Sequence, residues 1–228
     1  MEQLSPQLMH KLVFTVLMHG LNDAQTGLAL RVLTDALDHP NAQIRELAVV
    51  AIADLFVPPD KRIEPLVIAL HDENARVRRR AARALGDFGS AATPAVEKLT
   101  AGLKDGDASV RRDCAGALGR IGPPAASAAQ ALVVMLCDPE TRTRAIVGVT
   151  LRRIGPATVP ALLVGVKSPS PDLRGRCAVL LGKIAPSDPQ VSAALREVLT
   201  DVDDDVRAKA GEALAFARSP ARSLVGAS

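Results

Sequence analysis

Sliding the chain along itself by 33 residues makes one pattern return, so the fold must be assembled from copies of a single small unit. The clearest copies, DENARVRRRAARALGDFG from Asp72 to Gly89 and DGDASVRRDCAGALGRIG from Asp105 to Gly122, align without a gap. Asp138 to Gly155 keeps the register, the next copy arrives three residues early at Leu173-Arg174, and the last returns at Val206-Arg207. Ile44-Arg45 opens the series, which makes six copies.

Within a copy, apolar residues recur at positions 0, 4, 7, 8 and 11, a single stripe along an α-helix. Ile44, Ala48, Ala51, Ile52 and Leu55 form the first stripe, Val77, Ala81, Ala84, Leu85 and Phe88 the second, and Leu173, Cys177, Leu180, Leu181 and Ile184 the fifth. Three residues ahead of each stripe stand Asn41, Asn74, Asp107, Glu140, Ser170 and Asp203, five of them residues that cap a helix N-terminus. Pro171 falls at a first helical position, where its missing N–H costs nothing. A shorter helix precedes each stripe, marked by Leu33/Leu37, Leu66/Leu70, Leu99/Leu103, Leu132/Leu136, Leu162/Val166 and Leu195/Leu199. Breakers separate the pairs: Pro58-Pro59, Gly89 to Pro94, Gly122-Pro123-Pro124, Gly155-Pro156 and Pro186 to Pro189. One such pair cannot cover its own stripe, so neighbours must stack and share an interior. Small residues at position 5, namely Val49, Ala82, Ala115, Gly148, Ala178 and Gly211, offer room for close stacking.

Aromatic residues make up 2% of the chain, with no Trp and no Tyr, and the 28 basic side chains are balanced by 25 acidic ones to a net charge of +3. That balance excludes the charge excess of a dedicated nucleic-acid binder. Cys114, Cys137 and Cys177 are an odd number in apolar helical contexts, which points to a reducing, cytoplasmic compartment. Lys11 and the apolar run from Leu12 to Met18 imitate a signal peptide, but Glu2 precedes them and no small-x-small cleavage site follows, so a capping helix over residues 4–19 is expected. No apolar run approaches the roughly 18 to 20 residues of a membrane span, and no membrane partner is expected.

Asp105, Val110, Arg111, Ala117, Leu118, Gly119, Ile121 and Gly122 resemble the signature of HEAT repeats, in length those of phycobilisome lyases and many bacterial proteins. The resemblance covers roughly residues 24 to 217. Ankyrin repeats are excluded by the absence of their T-P-L-H signature, tetratricopeptide repeats by the lack of Trp and Tyr. The repeat and the resemblance together imply an all-α chain, a right-handed α-solenoid of six helix pairs behind an N-terminal capping helix. A single domain is expected over residues 1–217, with pairs at about 24–57, 63–90, 94–122, 125–155, 157–185 and 189–217 and a flexible tail over 218–228.

Position 1 is arginine in every copy: Arg45, Arg78, Arg111, Arg144, Arg174 and Arg207. Asp72, Asp105, Asp138 and Asp201 stand six residues before four of them. The resemblance implies a structural ladder, each arginine bonding turn carboxylates or carbonyls of its own or the adjacent repeat. Positions 2, 6, 9 and 10 lie opposite the stripe and carry Arg79, Arg83, Arg112, Arg120, Arg152, Arg153 and Lys183. The resemblance places second helices on the concave wall, so these side chains are expected to form a basic track for an acidic peptide or helix of a partner protein. The competing reading is a plain solvated face, since Glu46, Asp54, Asp87 and Glu212 interrupt the track at its ends. Gly116, Gly119, Ala145, Val149, Gly175, Val179, Gly182 and Ala208 would give that face a shallow, mildly apolar floor.

Signs of catalysis are missing. His10, His19, His39 and His71 are followed by Lys, Gly, Pro and Asp, so the His-Glu pairs of HEAT-like di-iron hydroxylases are absent and no metal is expected. Asp201, Asp203, Asp204 and Asp205 lack the EF-hand pattern and read as an acidic helix-capping turn. No nucleophile elbow, phosphate loop or dinucleotide fingerprint occurs, and Cys114 and Cys177 fall on the buried stripe. The expectation is a non-catalytic interaction scaffold or adaptor without a cofactor. Two alternatives remain from the resemblance: a phycobilin-lyase-like chromophore handler, and a nucleic-acid binder like the HEAT-like DNA glycosylases. The second is disfavoured because those enzymes stack aromatic rings on bases, while this chain has only Phe14, Phe56, Phe88 and Phe216, two of them at core positions of the pattern.

Overall fold

The structure, a computed structural model, describes residues 23–218 and, ahead of them, only Gln7. The expected capping helix at 4–19 and the tail beyond Arg218 therefore lie outside the described residues. Among those described there is no strand, and twelve α-helices form six pairs. The pairs are α1 (Asp23–Asp35) with α2 (Ala42–Asp54), α3 (Pro59–Ala69) with α4 (Ala75–Asp87), α5 (Val96–Gly102) with α6 (Ala108–Ile121), α7 (Ala129–Val134) with α8 (Thr141–Ile154), α9 (Val159–Gly165) with α10 (Pro171–Ile184), and α11 (Pro189–Val198) with α12 (Asp204–Arg218). Short 3-10 segments flank α1, α5, α7 and α9. The chain is thus an all-α repeat solenoid, and it divides into two compact units between Ala128 and Ala129, α1 to α6 in the first and α7 to α12 in the second.

Each unit is built from its apolar stripes. In the first, α2, α4 and α6 pack side by side, and Leu33, Ile44, Ile52, Leu66, Leu85, Leu99 and Leu118 are sealed from solvent. In the second, α10 and α12 pack closely, and Leu132, Leu151, Leu162, Leu181 and Leu195 are sealed in the same way. The helices begin where capping chemistry permits. Asn41 and Asn74 accept the N–H two residues on, Asp107 those of Ser109 and Val110, and Ser170 that of Leu173. Asp203 accepts from Asp205 and Val206. Glu140, the one poor cap in the series, makes no capping bond and takes the Thr143 hydroxyl instead. At the ends of α6 and α8, Gly122 and Gly155 adopt φ of 77° and 84°, where a side chain would be strained.

Several positions depart from the sequence pattern. The fourth stripe contains Thr143 and Thr150, both buried. Phe88, Leu173, Ile184 and Leu70 are only half-buried, and Leu199 is 41% exposed at the end of α11. Cys137 is exposed rather than packed. None of the three described phenylalanines is fully buried: Phe56 and Phe216 are exposed, and the Phe88 ring lies 4.5 Å beneath the Arg62 guanidinium. Arg62 also donates to the Ala53 carbonyl at the end of α2, and its burial lowers the guanidinium pKa against the opposing charge of Asp54.

Thr141–Gly165 is a continuous helical run of 25 residues with enough apolar character to cross a bilayer, a length that the sequence pattern conceals. Gly155 divides it into α8 and α9, and Arg152 and Arg153 stand in mid-run, where a bilayer would penalise them heavily.

Position 5 is sealed in four copies, at Val49, Ala82, Ala115 and Ala178, but close stacking also occurs at positions that the sequence pattern turns outward. Gly148, at position 5, has open space: an added Cβ would meet nothing nearer than Leu180 Cδ2 at 4.0 Å. At position 9, a Cβ on Gly182 would lie 2.8 Å from the Ala213 Cβ and 2.9 Å from its carbonyl oxygen, and Gly119 and Gly175 are likewise buried rather than part of an outer floor. The helical wheel assigns one buried face, whereas a stacked second helix is also covered along its flank. Gly182→Ala should therefore lower the thermal midpoint, since overpacking against backbone costs about 1–3 kcal/mol. Gly148→Ala should raise it, by about 0.5–1 kcal/mol of helix propensity. Thermal unfolding followed by circular dichroism distinguishes the two signs.

Candidate functional site

The position-1 arginines form a ladder inside each unit. Arg45 donates from Nε and Nη2 to the Asp72 carboxylate at 2.7 and 2.9 Å, and from Nη1 to the carbonyls of His39 and Pro40. Arg78 repeats this with Asp105 at 2.7 and 2.8 Å, and Arg174 with Asp201 at 2.7 Å for both bonds. In each case the carboxylate comes from the next repeat, 27 residues on, and also accepts an N–H of its own turn, from Asn74, Asp107 or Asp203. One aspartate thus shapes a turn and grips the preceding repeat through a bidentate bond. Arg111 and Arg207 likewise donate from Nη1 to the carbonyls of Asp105 and Asp201.

Arg144 breaks the series. Its Nη1 reaches the carbonyls of Asp138 and Pro139 and its Nη2 the Thr141 hydroxyl, but its buried Nε has no partner. The repeat that follows is the one that arrives three residues early, and Ser168 occupies its ladder position. The Ser168 hydroxyl accepts the Ser170 N–H as the aspartates accept theirs, yet it offers no carboxylate to a guanidinium.

The outward basic residues divide into two groups. In the first unit they are tied down: Arg79 and Arg83 share the Asp113 carboxylate at 3.1 and 3.0 Å, Arg80 pairs with Glu46 at 2.9 Å, and Arg120 crosses over Gly86 to Asp87 at 3.3 Å. Arg112 is half-buried on the same helix as Arg120. Beside them is an open cleft of about 290 Å³ lined by Glu46, Arg76, Arg79, Arg80 and Arg83. In the second unit, Arg152, Arg153 and Lys183 are exposed, and so is Arg142, which the positional count passed over. None of these four makes a hydrogen bond or ion pair through its side chain to the described residues. Asp113 was also missed from sequence, because its partners stand 30 and 34 residues away and only an offset of about one repeat between opposite charges reveals them.

The family profile described as HEAT repeats matches residues 30–96, 63–147, 96–164 and 129–215, nearly the whole described chain. The chain belongs to the HEAT-repeat family. A search of curated protein sequences found no match. Among solved structures, this HEAT-repeat chain is similar to importin beta, with a TM-score of 0.67 and 13% identity over 92% of this chain and 33% of that one. It is also similar to an engineered protein, with a TM-score of 0.56 and 21% identity over 93% and 68%. The Escherichia coli protein YibA gives a TM-score of 0.52 and 17% identity over 91% and 85%. At these identities the likeness is one of fold.

The HEAT-repeat ladder makes stability depend on acid titration. The Arg174 hydrogen bond, helped by the Asp203 N–H, brings the Asp201 pKa down to about 2. Burial pushes Asp105 upward, but bonds from Arg78 and the Asp107 N–H, with the charges of Arg78 and Arg111, leave it lowered overall. A carboxylate depressed in the folded state contributes stability above its unfolded pKa, near 4, and loses it as pH falls through the folded value. The thermal midpoint should therefore drop as pH goes from about 4 to about 2, and Asp201→Asn should flatten that dependence. A slope unchanged by Asp201→Asn would contradict the ladder's role.

Proposed function

We propose that this HEAT-repeat chain is a non-catalytic scaffold or adaptor that holds a segment of a partner protein, an acidic peptide or helix, on the outward face of its second helices. The observation that carries the reading is the group of exposed, unpaired cations on α8 and α10 beside the exposed Val149. A face that combines unsatisfied positive charge with apolar surface is suited to side chains carrying both methylenes and carboxylates.

The chemistry elsewhere supports a binding role. Burial pushes the thiols of Cys114 and Cys177 up to about 12, so neither supplies a thiolate at neutral pH. Among the described residues no three His, Cys, Asp or Glu side chains converge as metal ligands would. A reducing, cytoplasmic setting suits the three free cysteines.

Affinity capture from native lysate followed by mass spectrometry tests the proposal. The expected result is a protein partner, released by salt, whose contact region is acidic. Recovery of nucleic acid alone, or of a bilin detected by its visible absorbance, would contradict it.

A further inference from the structure

The fourth pair departs from the repeat at several places, and the departures meet on one face. Position 9 of the second helix is Gly86, Gly119 and Gly182 in the second, third and fifth copies. At Gly182 this lets α12 approach so closely that a Cβ there would lie 2.8 Å from the Ala213 Cβ. In α8 the same position is Arg152. A guanidinium cannot be pressed between two helix backbones, and α8 and α10 approach each other at far fewer places than α10 and α12 do. The outward face of α8 is left open.

Position 10 reinforces the contrast. On α4 and α6 it holds Asp87 and Arg120, which pair at 3.3 Å. On α8 and α10 it holds Arg153 and Lys183, two cations where the first unit has a cation and a carboxylate. Arg142 stands at the other end of the α8 face, ten residues before Arg152, or ~15 Å along the helix. Between them lie Ala145 and Val149, the latter 44% exposed, and Val179 is half-buried at the matching position of α10. Like charges gathered without counter-charges beside apolar surface are unfavourable in the free protein and are relieved by a partner's carboxylates. A face that is merely solvated requires neither the exposed valine nor the loss of the glycine. Local rules fail together in this way at functional sites.

We infer that the outward face of α8, continued by Lys183 of α10, is the specificity-setting subsite, and that it takes an acidic amphipathic helix. Carboxylates about ten residues apart on that helix seat on Arg142 and on Arg152 with Arg153, its apolar side chains cover Ala145 and Val149, and a further carboxylate reaches Lys183. The face presents no aromatic ring on which a nucleic-acid base could stack. The inference rests on the protein-binding reading above and narrows it to one pair of repeats, since Arg79, Arg80, Arg83 and Arg120 of the first unit are already committed to Asp113, Glu46 and Asp87.

The test is fluorescence anisotropy with a fluorescein-labelled helical peptide of Leu, Ala and Glu that carries glutamates at this spacing on one face, and with a single-stranded oligonucleotide of equal charge. The expected result is peptide binding that weakens with salt and falls about tenfold or more in Arg152→Glu/Arg153→Glu/Lys183→Glu, as the loss of three partly screened pairs would give. Arg79→Gln/Arg83→Gln should stay within about twofold of wild type, because those side chains already serve Asp113. If the triple variant melts early, Arg152→Ala/Arg153→Ala supplies the same comparison. Absence of peptide binding, equal loss in both variants, or tighter binding of the oligonucleotide would overturn the inference. A lysate partner still captured by the triple variant would also overturn it while leaving the scaffold reading in place.

Discussion

The bond between a position-1 arginine and the aspartate 27 residues later fixes how one repeat sits on the next. The apolar stripes supply most of the driving force for stacking, but hydrophobic contact is non-directional and would tolerate sliding. A planar guanidinium held by two carboxylate oxygens, with its other nitrogen on two turn carbonyls, does not. Because the same aspartate organises the turn that starts the next second helix, turn geometry and repeat register are set by one side chain. With 7% exposure on both sides of the Arg45–Asp72 pair, the interaction is shielded from competing water. A buried charge left without its partner is costly, so the ladder also penalises wrong registers.

The fourth pair shows what happens when that constraint is relaxed. Ser168 keeps the turn through its hydroxyl but cannot hold Arg144, and the unpartnered Nε is the result. Arg152 stands where Gly182 permits close approach in the next copy, threonines replace two stripe residues, and Glu140 fails as a cap. With Arg142, Arg152 and Arg153 exposed and unpaired, α8 is the second helix of its unit with the most free positive charge, which is the kind of surface that a partner can complete.

The fold was legible because its signals are local and repeated. A stripe at helical spacing, a capping residue three positions ahead of it and a breaker between pairs need no knowledge of the neighbours, and Leu66, Leu99 and Leu132 are sealed as the pattern requires. The outer face was less legible. The wheel gives Gly182 and Arg152 the same outward angle, yet one is buried against Ala213 and the other is in solvent, because covering at the flank depends on the side-chain size of the residue itself. The seven cations of the expected track looked equivalent for a related reason: whether Arg79 or Arg153 is neutralised depends on which residue the next helix brings alongside, and that offset is fixed only once repeats are stacked. Cys137 and Leu199 are exposed, the latter although the equivalent Leu103 and Leu136 are buried, a difference that the repeat pattern does not encode.

Installing the missing rung tests the ladder most directly. In thermal unfolding, Ser168→Asp should give Arg144 Nε a carboxylate and raise the midpoint by roughly 2–4 °C, corresponding to about 1 kcal/mol. Asp72→Ser, which recreates the fourth-pair defect at Arg45, should lower the midpoint by more than that. An unchanged or lower midpoint for Ser168→Asp, together with a neutral Asp72→Ser, would contradict the claim that these bonds set the stacking.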